Sequence, residues 1–341
     1  MTQVIFPSCG SSDAAAPAGA RRQVVVNGKR VKTVDVHAHC AFPETMAMVG
    51  RQPDAPLLLN DALPARLAAM DAQGIDVEAL SINPFWYTAD RDVADTLIAR
   101  QNEKLAELCA RQPDRLVAFA TIALQHPDLA VQQLVDGVKK YGLRGASTGG
   151  SVNGLELADP KFHPFWAKAE ELGVLVFIHP QGTAELESST RLKGNGLLTN
   201  TIGNPLETTI ALSHLIFEGT LDQFPGLRIC AAHGGGYLPS YAARSNAVMQ
   251  TFPHRMTRTT LEKKPTEYLR QIYVDSIVFT PEALRHLAVE TGPGQIVMGT
   301  DYPYPWTSTS VDHILSTPGL SDADKIAMLG GTAMKLLGIP A

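Results

Sequence analysis

Short apolar runs of strand length alternate along this chain with longer segments whose apolar residues recur at helical spacing. The first run is Val34-Asp35-Val36-His37-Ala38-His39-Cys40. Further runs predict strands over 76–82, 116–122, 145–148, 174–179, 227–233, 271–278 and 295–300. Between them the spacing predicts helices over 63–73, 92–111, 128–141, 164–172, 205–217, 238–249 and 281–290, and a terminal helix over 323–337. Gly74, Gly142 and Gly173 close three of them. Strand and helix in alternation imply parallel strands joined by right-handed crossovers, and eight such units predict an α/β fold of the closed (β/α)8 TIM-barrel type. Upstream, Asn27-Gly28 between apolar runs predicts a small hairpin over 23–31. Residues 1–20 show no period and read as a mobile leader or an arm on a neighbour. The expected division is therefore a leader and hairpin over 1–32 and one barrel domain over 33–341.

Four of the predicted strands finish in imidazole or carboxylate: His37 and His39 on the first, His179 on the fifth, His233 on the sixth and Asp301 on the eighth. Side chains two apart on a strand share a face, so His37 and His39 can share one ion. In a barrel the active site lies at the C-terminal ends of the strands, where all five of these residues are expected. Three nitrogens and one carboxylate from His37, His39, His179 and Asp301 suit a single divalent transition metal, zinc first and manganese second, with a position left open for water or substrate. The fourth strand, Gly145-Ala146-Ser147-Thr148, offers no lysine to bridge a second ion. His233 opens a triple-glycine turn and reads either as an acid/base group beside the metal or as a further ligand. Asp301, ionised as a ligand, joins it as the second candidate catalytic residue.

Other positions are more ambiguous. The irregular stretch from Cys40 to about residue 60, with Pro43, Gly50, Pro53 and Pro56, is long for a plain connection and reads as a binding loop. Arg51 within it is either solvated or a substrate ligand. Phe85-Trp86-Tyr87 after the second strand form either an aromatic wall for a planar substrate or ordinary packing. Arg244, on the helix after the sixth strand, reads from spacing alone as a surface ion pair. His126, His163, His214, His254, His286 and His313 close no strand and are not assigned to the metal.

Composition narrows the chemistry. A net charge of −5 leaves no electrostatic footprint for nucleic acid, so a small-molecule substrate is expected. The four cysteines, Cys9, Cys40, Cys109 and Cys230, form no C-x-x-C pair, which argues against a zinc knuckle or a disulfide framework and for reduced thiols in the cytoplasm. No apolar run approaches the roughly 18 residues of a membrane span, and the N-terminus lacks the apolar core of a secretory signal.

Taken together, Val34-Asp35-Val36-His37-Ala38-His39, Phe177-Ile178-His179-Pro180, Asn204-Pro205-Leu206-Glu207-Thr208-Thr209, Ala232-His233-Gly234-Gly235-Gly236 and Gly299-Thr300-Asp301-Tyr302-Pro303 resemble the amidohydrolase superfamily, in its branch of aminocarboxymuconate-semialdehyde-type decarboxylases. The resemblance runs from about Thr33 to the C-terminus. It implies a metal held by His37, His39, His179 and Asp301, and a general base at His233. It also implies that Arg51 and Arg244 hold substrate carboxylates, Arg244 across the interface of a homodimer. The implied activity is non-oxidative decarboxylation, a carbon–carbon lyase reaction, on a conjugated or aromatic acid in aromatic compound catabolism. The chain departs from the branch at Gln181, where a tryptophan is expected, and at Gly150-Ser151-Val152-Asn153, where a Thr-His-Val-Asn turn is expected; both positions face the substrate in the family. Hydrolysis of a lactone or amide, or hydration of a conjugated acid, uses the same ligand set. A scaffold that has lost its chemistry is the non-enzymatic alternative.

Overall fold

The computed structural model describes residues 21–53, 63–181, 190–256, 260–304 and 306–340. The leader over 1–20 and residues 54–62 of the expected binding loop lie outside them. A hairpin comes first, with β1 (Val25–Val26) antiparallel to β2 (Lys29–Arg30). Its turn residues Asn27 and Gly28 both have positive φ, as a type I′ turn demands.

The barrel begins at β3 (Val34–His39), followed by a short helix α1 (Pro43–Ala47) and by α2 (Leu63–Gln73). Next come β4 (Val77–Ser81), α3 (Arg91–Arg111), β5 (Leu116–Ala118), α4 (Pro127–Lys139) and β6 (Gly145–Thr148). A second small hairpin, β7 (Ser151–Val152) and β8 (Leu155–Glu156), interrupts the alternation, again on an Asn-Gly turn with positive φ at Asn153 and Gly154. The series resumes with α5 (His163–Leu172), β9 (Leu175–Ile178), α6 (Asn204–Phe217), β10 (Arg228–Ala231), α7 (Leu238–Thr251), β11 (Ile272–Asp275), α8 (Pro281–Thr291) and β12 (Ile296–Val297). The expected terminal helix is divided. Asp322–Ile326 and Thr332–Leu337 are α-helical, with the wider π turn Ala327–Gly331 between them.

The strands are parallel in the order β3-β4-β5 and β6-β9-β10-β11-β12. Two seams join these arcs. Ala120 bridges Ala146 on one side; on the other, Val36 N–H donates to Met298 at 2.9 Å and Ala38 bridges Tyr302. The barrel is therefore closed, as the alternation predicts. Its strands are shorter than their apolar runs, because the pairing ends where the last residues turn outward into the site. Val34, Val36, Val77, Ala79, Phe119, Phe177 and neighbours fill the interior, while a larger apolar layer joins the sheet to its helices. Phe119 and Phe177 stack with centroids 5.7 Å apart and close the floor beneath the site. No helix among the described residues is long and apolar enough to cross a membrane.

Candidate metal centre and active site

The five strand-end residues converge. His37 Nε2 lies 3.0 Å from His39 Nε2 and 3.1 Å from Asp301 Oδ1, and His39 Nε2 is 2.9 Å from the same oxygen. His233 Nε2 approaches the other oxygen, Asp301 Oδ2, at 3.5 Å. One donor atom from each of His37, His179, His233 and Asp301 falls within a 4.8 Å group. His39 and His179 rings meet edge to face with centroids 4.6 Å apart, so His39 belongs to the same cluster.

This donor set fits a metal ion. Both ring nitrogens of buried His179 have no hydrogen-bond partner among the described residues, which is costly for a polar group unless it has a ligand to bind. Burial, and then the neighbouring histidines, hold His179 well below the usual imidazole pKa, so it offers neutral lone pairs. Burial also works against a charge on His37, but Asp301 and Asp275 outweigh it and push the imidazole up to about 10.

The backbone places these groups. Asp301 and His233 both adopt left-handed φ, 61° and 55°, which turns each side chain in over the barrel mouth. Asp301 N–H donates to His37 carbonyl oxygen at 2.8 Å, tying the eighth strand to the first. Behind His233, Gly236 has a φ of 66°, and a Cβ there would stand 2.2 Å from the Pro205 carbonyl oxygen. Only glycine allows that approach.

Asp275, at the end of the seventh strand, is the site residue that the sequence reading missed. It is fully buried and accepts hydrogen bonds from His37 Nδ1 at 2.7 Å, His233 N–H at 2.8 Å, Gly234 N–H at 2.9 Å and Ile277 N–H at 3.0 Å. It thus fixes the tautomer of His37, leaving Nε2 for the metal, and positions the His233 backbone. The rule that found the other strand ends would have found it too, since Ile272-Tyr273-Val274-Asp275 also finishes in a carboxylate. Asp35 plays a similar part deeper down, accepting from His37 N–H at 3.0 Å and Thr300 N–H at 3.1 Å.

Arg66 on α2 is a second buried support. Its guanidinium donates to Glu78 Oε2 at 2.7 Å and to the His39 carbonyl oxygen, and lies over the Tyr302 ring at 4.6 Å. It thereby braces residues beside two members of the cluster. Arg66→Met is expected to lower stability by about 1–3 kcal/mol, because it strands the buried Glu78 carboxylate and the His39 carbonyl. Denaturant unfolding of wild type and variant checks this; equal midpoints at equal slope would remove Arg66 from that role.

Above the cluster opens a cavity of about 820 Å³. Arg51 and Phe85 line it, as do Gln181 and Ser151, which stand where the chain departs from the expected pattern. Trp86 corrects the sequence reading. It is fully buried, its indole N–H donates to the Ile122 carbonyl oxygen at 2.8 Å, and it supports the wall from behind. Tyr87 lines the cavity in its place. Arg244 is exposed on α7, away from the cavity of its own chain, with no hydrogen bond or ion pair among the described residues.

Comparison with known proteins agrees with this geometry. The amidohydrolase family matches residues 34–339. Gamma-resorcylate decarboxylase of Rhizobium radiobacter is 31% identical over 89% of this chain and 97% of its own. The 2-amino-3-carboxymuconate-6-semialdehyde decarboxylase of Dictyostelium discoideum is 30% identical over 90% of this chain and 85% of its own. Among solved structures, a dihydroxybenzoic acid decarboxylase of Polaromonas sp., with bound manganese and the inhibitor 2-nitroresorcinol, superposes with a TM-score of 0.78 at 27% identity, over 91% of this chain and 97% of that one. The resemblance read from the strand-end motifs is borne out along the whole barrel, and the chain belongs to the amidohydrolase family.

Proposed function

We infer that this chain is a metal-dependent, non-oxidative decarboxylase of an aromatic or conjugated carboxylic acid. The observation that carries the reading is the convergence of four imidazoles and Asp301 at the floor of a cavity large enough for a substituted ring. The relatives named above are decarboxylases, which favours the lyase over a hydrolase or hydratase built on the same donors.

His37, His39, His179 and Asp301 are assigned to the metal, with His233 beside them. Three imidazoles and a carboxylate suit zinc, and the manganese in the Polaromonas structure makes that ion the second candidate. When bound, the metal supplies positive charge and Lewis acidity that anchor the acid. Arg51 on the cavity wall pairs with the carboxylate. His233 has a side chain 17% exposed to the cavity side, against 6% or less for Asp301, His37 and His39. With its Nε2 3.5 Å from Asp301 Oδ2, it is placed to deliver a proton to the ring carbon that bears the carboxylate. The carbon–carbon bond then breaks, its electron pair returns to the ring, and carbon dioxide leaves. The stacked Phe119 and Phe177 exclude water from below. Turnover in deuterium oxide tests the step: the product should carry deuterium at the carbon that lost carbon dioxide, and deuterium elsewhere or none would reject the proton delivery.

The same reading makes the enzyme a homodimer in which Arg244 reaches the partner's cavity. Its exposure, with Tyr241 one turn before it on the helix at 66% exposed, supports an interface on this face. Arg244→Ala is expected to raise KM for the acid about tenfold or more with metal content unchanged. A wild-type KM would remove Arg244 from the site.

A further inference from the structure

We propose that Asn83 is a specificity residue that recognises a hydroxyl group on the substrate ring, an assignment that rests on the decarboxylase reading for the identity of the acid. Along β4 the residues facing the barrel interior are Val77, Ala79 and Ser81, and Ser81 Oγ lies 3.1 Å from His39 Nδ1. The ladder ends at Ser81, whose carbonyl oxygen accepts from the Cys40 N–H at 3.0 Å. Asn83 follows two residues past the end of the strand. There it lines the cavity beside Phe85.

The Asn83 Oδ1 atom is buried without a hydrogen-bond partner among the described residues. Asn102, a structural amide on α3, shows the contrast. Its Nδ2 donates to the Thr121 carbonyl oxygen at 3.0 Å, and its Oδ1 accepts from Thr121 N–H at 2.8 Å and Thr121 Oγ1 at 3.0 Å. Asn102 is thus bonded at both ends of its amide, whereas the Asn83 oxygen is left open on a residue that lines the cavity, where a ligand can reach it.

The neutral amide also limits the partner's chemistry. A second carboxylate calls for a cation, whereas a hydroxyl, donor and acceptor at once, satisfies either end of the carboxamide if it turns by half a rotation. A ring hydroxyl serves the reaction as well, because it donates electron density to the ring and makes its carbon easier to protonate. Recognition and reactivity then select the same substituent.

Binding of benzoate and of a series of mono- and dihydroxybenzoates to metal-loaded protein, followed by calorimetry with carbon dioxide measured in the same samples, tests this. Wild type is expected to bind at least one hydroxylated isomer more tightly than its parent lacking that hydroxyl. Asn83→Leu and Asn83→Ala, at full metal content, should each erase about five- to tenfold of that preference and leave benzoate affinity unchanged. An unchanged preference in either folded variant, or no preference in wild type, would overturn the proposal. Release of carbon dioxide reports separately on the reaction: its absence, with the preference present and lost on substitution, would reject the decarboxylase reading and keep the hydroxyl site.

Discussion

His233→Ala is expected to lower kcat by about a hundred- to ten-thousandfold, the range that a positioned proton donor contributes. Its metal content should stay near that of wild type. His37, His39, His179 and Asp301 still supply four donors, while His233 lines the cavity with its Nε2 3.5 Å from Asp301 Oδ2. KM should change little, because the imidazole acts on the reacting carbon and not on the carboxylate. Elemental analysis beside steady-state kinetics separates the alternatives. A variant that loses its metal would make His233 a ligand, as the four-residue group containing it permits.

Asp275→Ala should damage the fold and the metal site together. The carboxylate is fully buried and accepts from three backbone N–H groups and from His37 Nδ1. Its removal strands all four donors, at a cost of about 3–5 kcal/mol by analogy with breaking a buried ion pair. It also frees the His37 ring to choose its tautomer, and loss of such a support typically weakens metal binding about 10- to 100-fold. Asp275→Asn keeps one acceptor and should fall between the two. Thermal unfolding and metal titration of both variants check this. Wild-type metal affinity in a folded Asp275→Ala variant would show that Asp275 supports the loop alone.

Much of this site is legible in the sequence because a parallel barrel converts a linear pattern into a place. An apolar run that ends in histidine or aspartate delivers that side chain to one face of the barrel, so His37, His39, His179, His233 and Asp301 were found without any contact information. Asp275 obeys the same rule, but the predicted strand runs on to Val278, which leaves the carboxylate inside the run and not at its end. Trp86 misleads for a different reason. Three aromatic residues in a row after a strand cannot all face one cavity, and Trp86 takes the inner position, where its N–H finds a carbonyl. The hairpin of β7 and β8 is signalled by Asn153-Gly154, the same turn chemistry as Asn27-Gly28, but within a stretch read as a departure from the family's turn. Arg66 lay beyond sequence reasoning altogether. Nothing in the spacing of a helical arginine says that it will be 4% exposed and point at a metal-site backbone.

The central claim is that the site releases carbon dioxide. The most direct measurement is carbon dioxide evolution from zinc- or manganese-loaded enzyme over a panel of conjugated acids: hydroxybenzoates, nitro- and aminobenzoates, and muconate semialdehydes. The account predicts release from at least one member, matched one to one by the decarboxylated product and abolished when the metal is removed. Silence across the panel, with a lactone or amide hydrolysed by the same metal-loaded preparation, would contradict it.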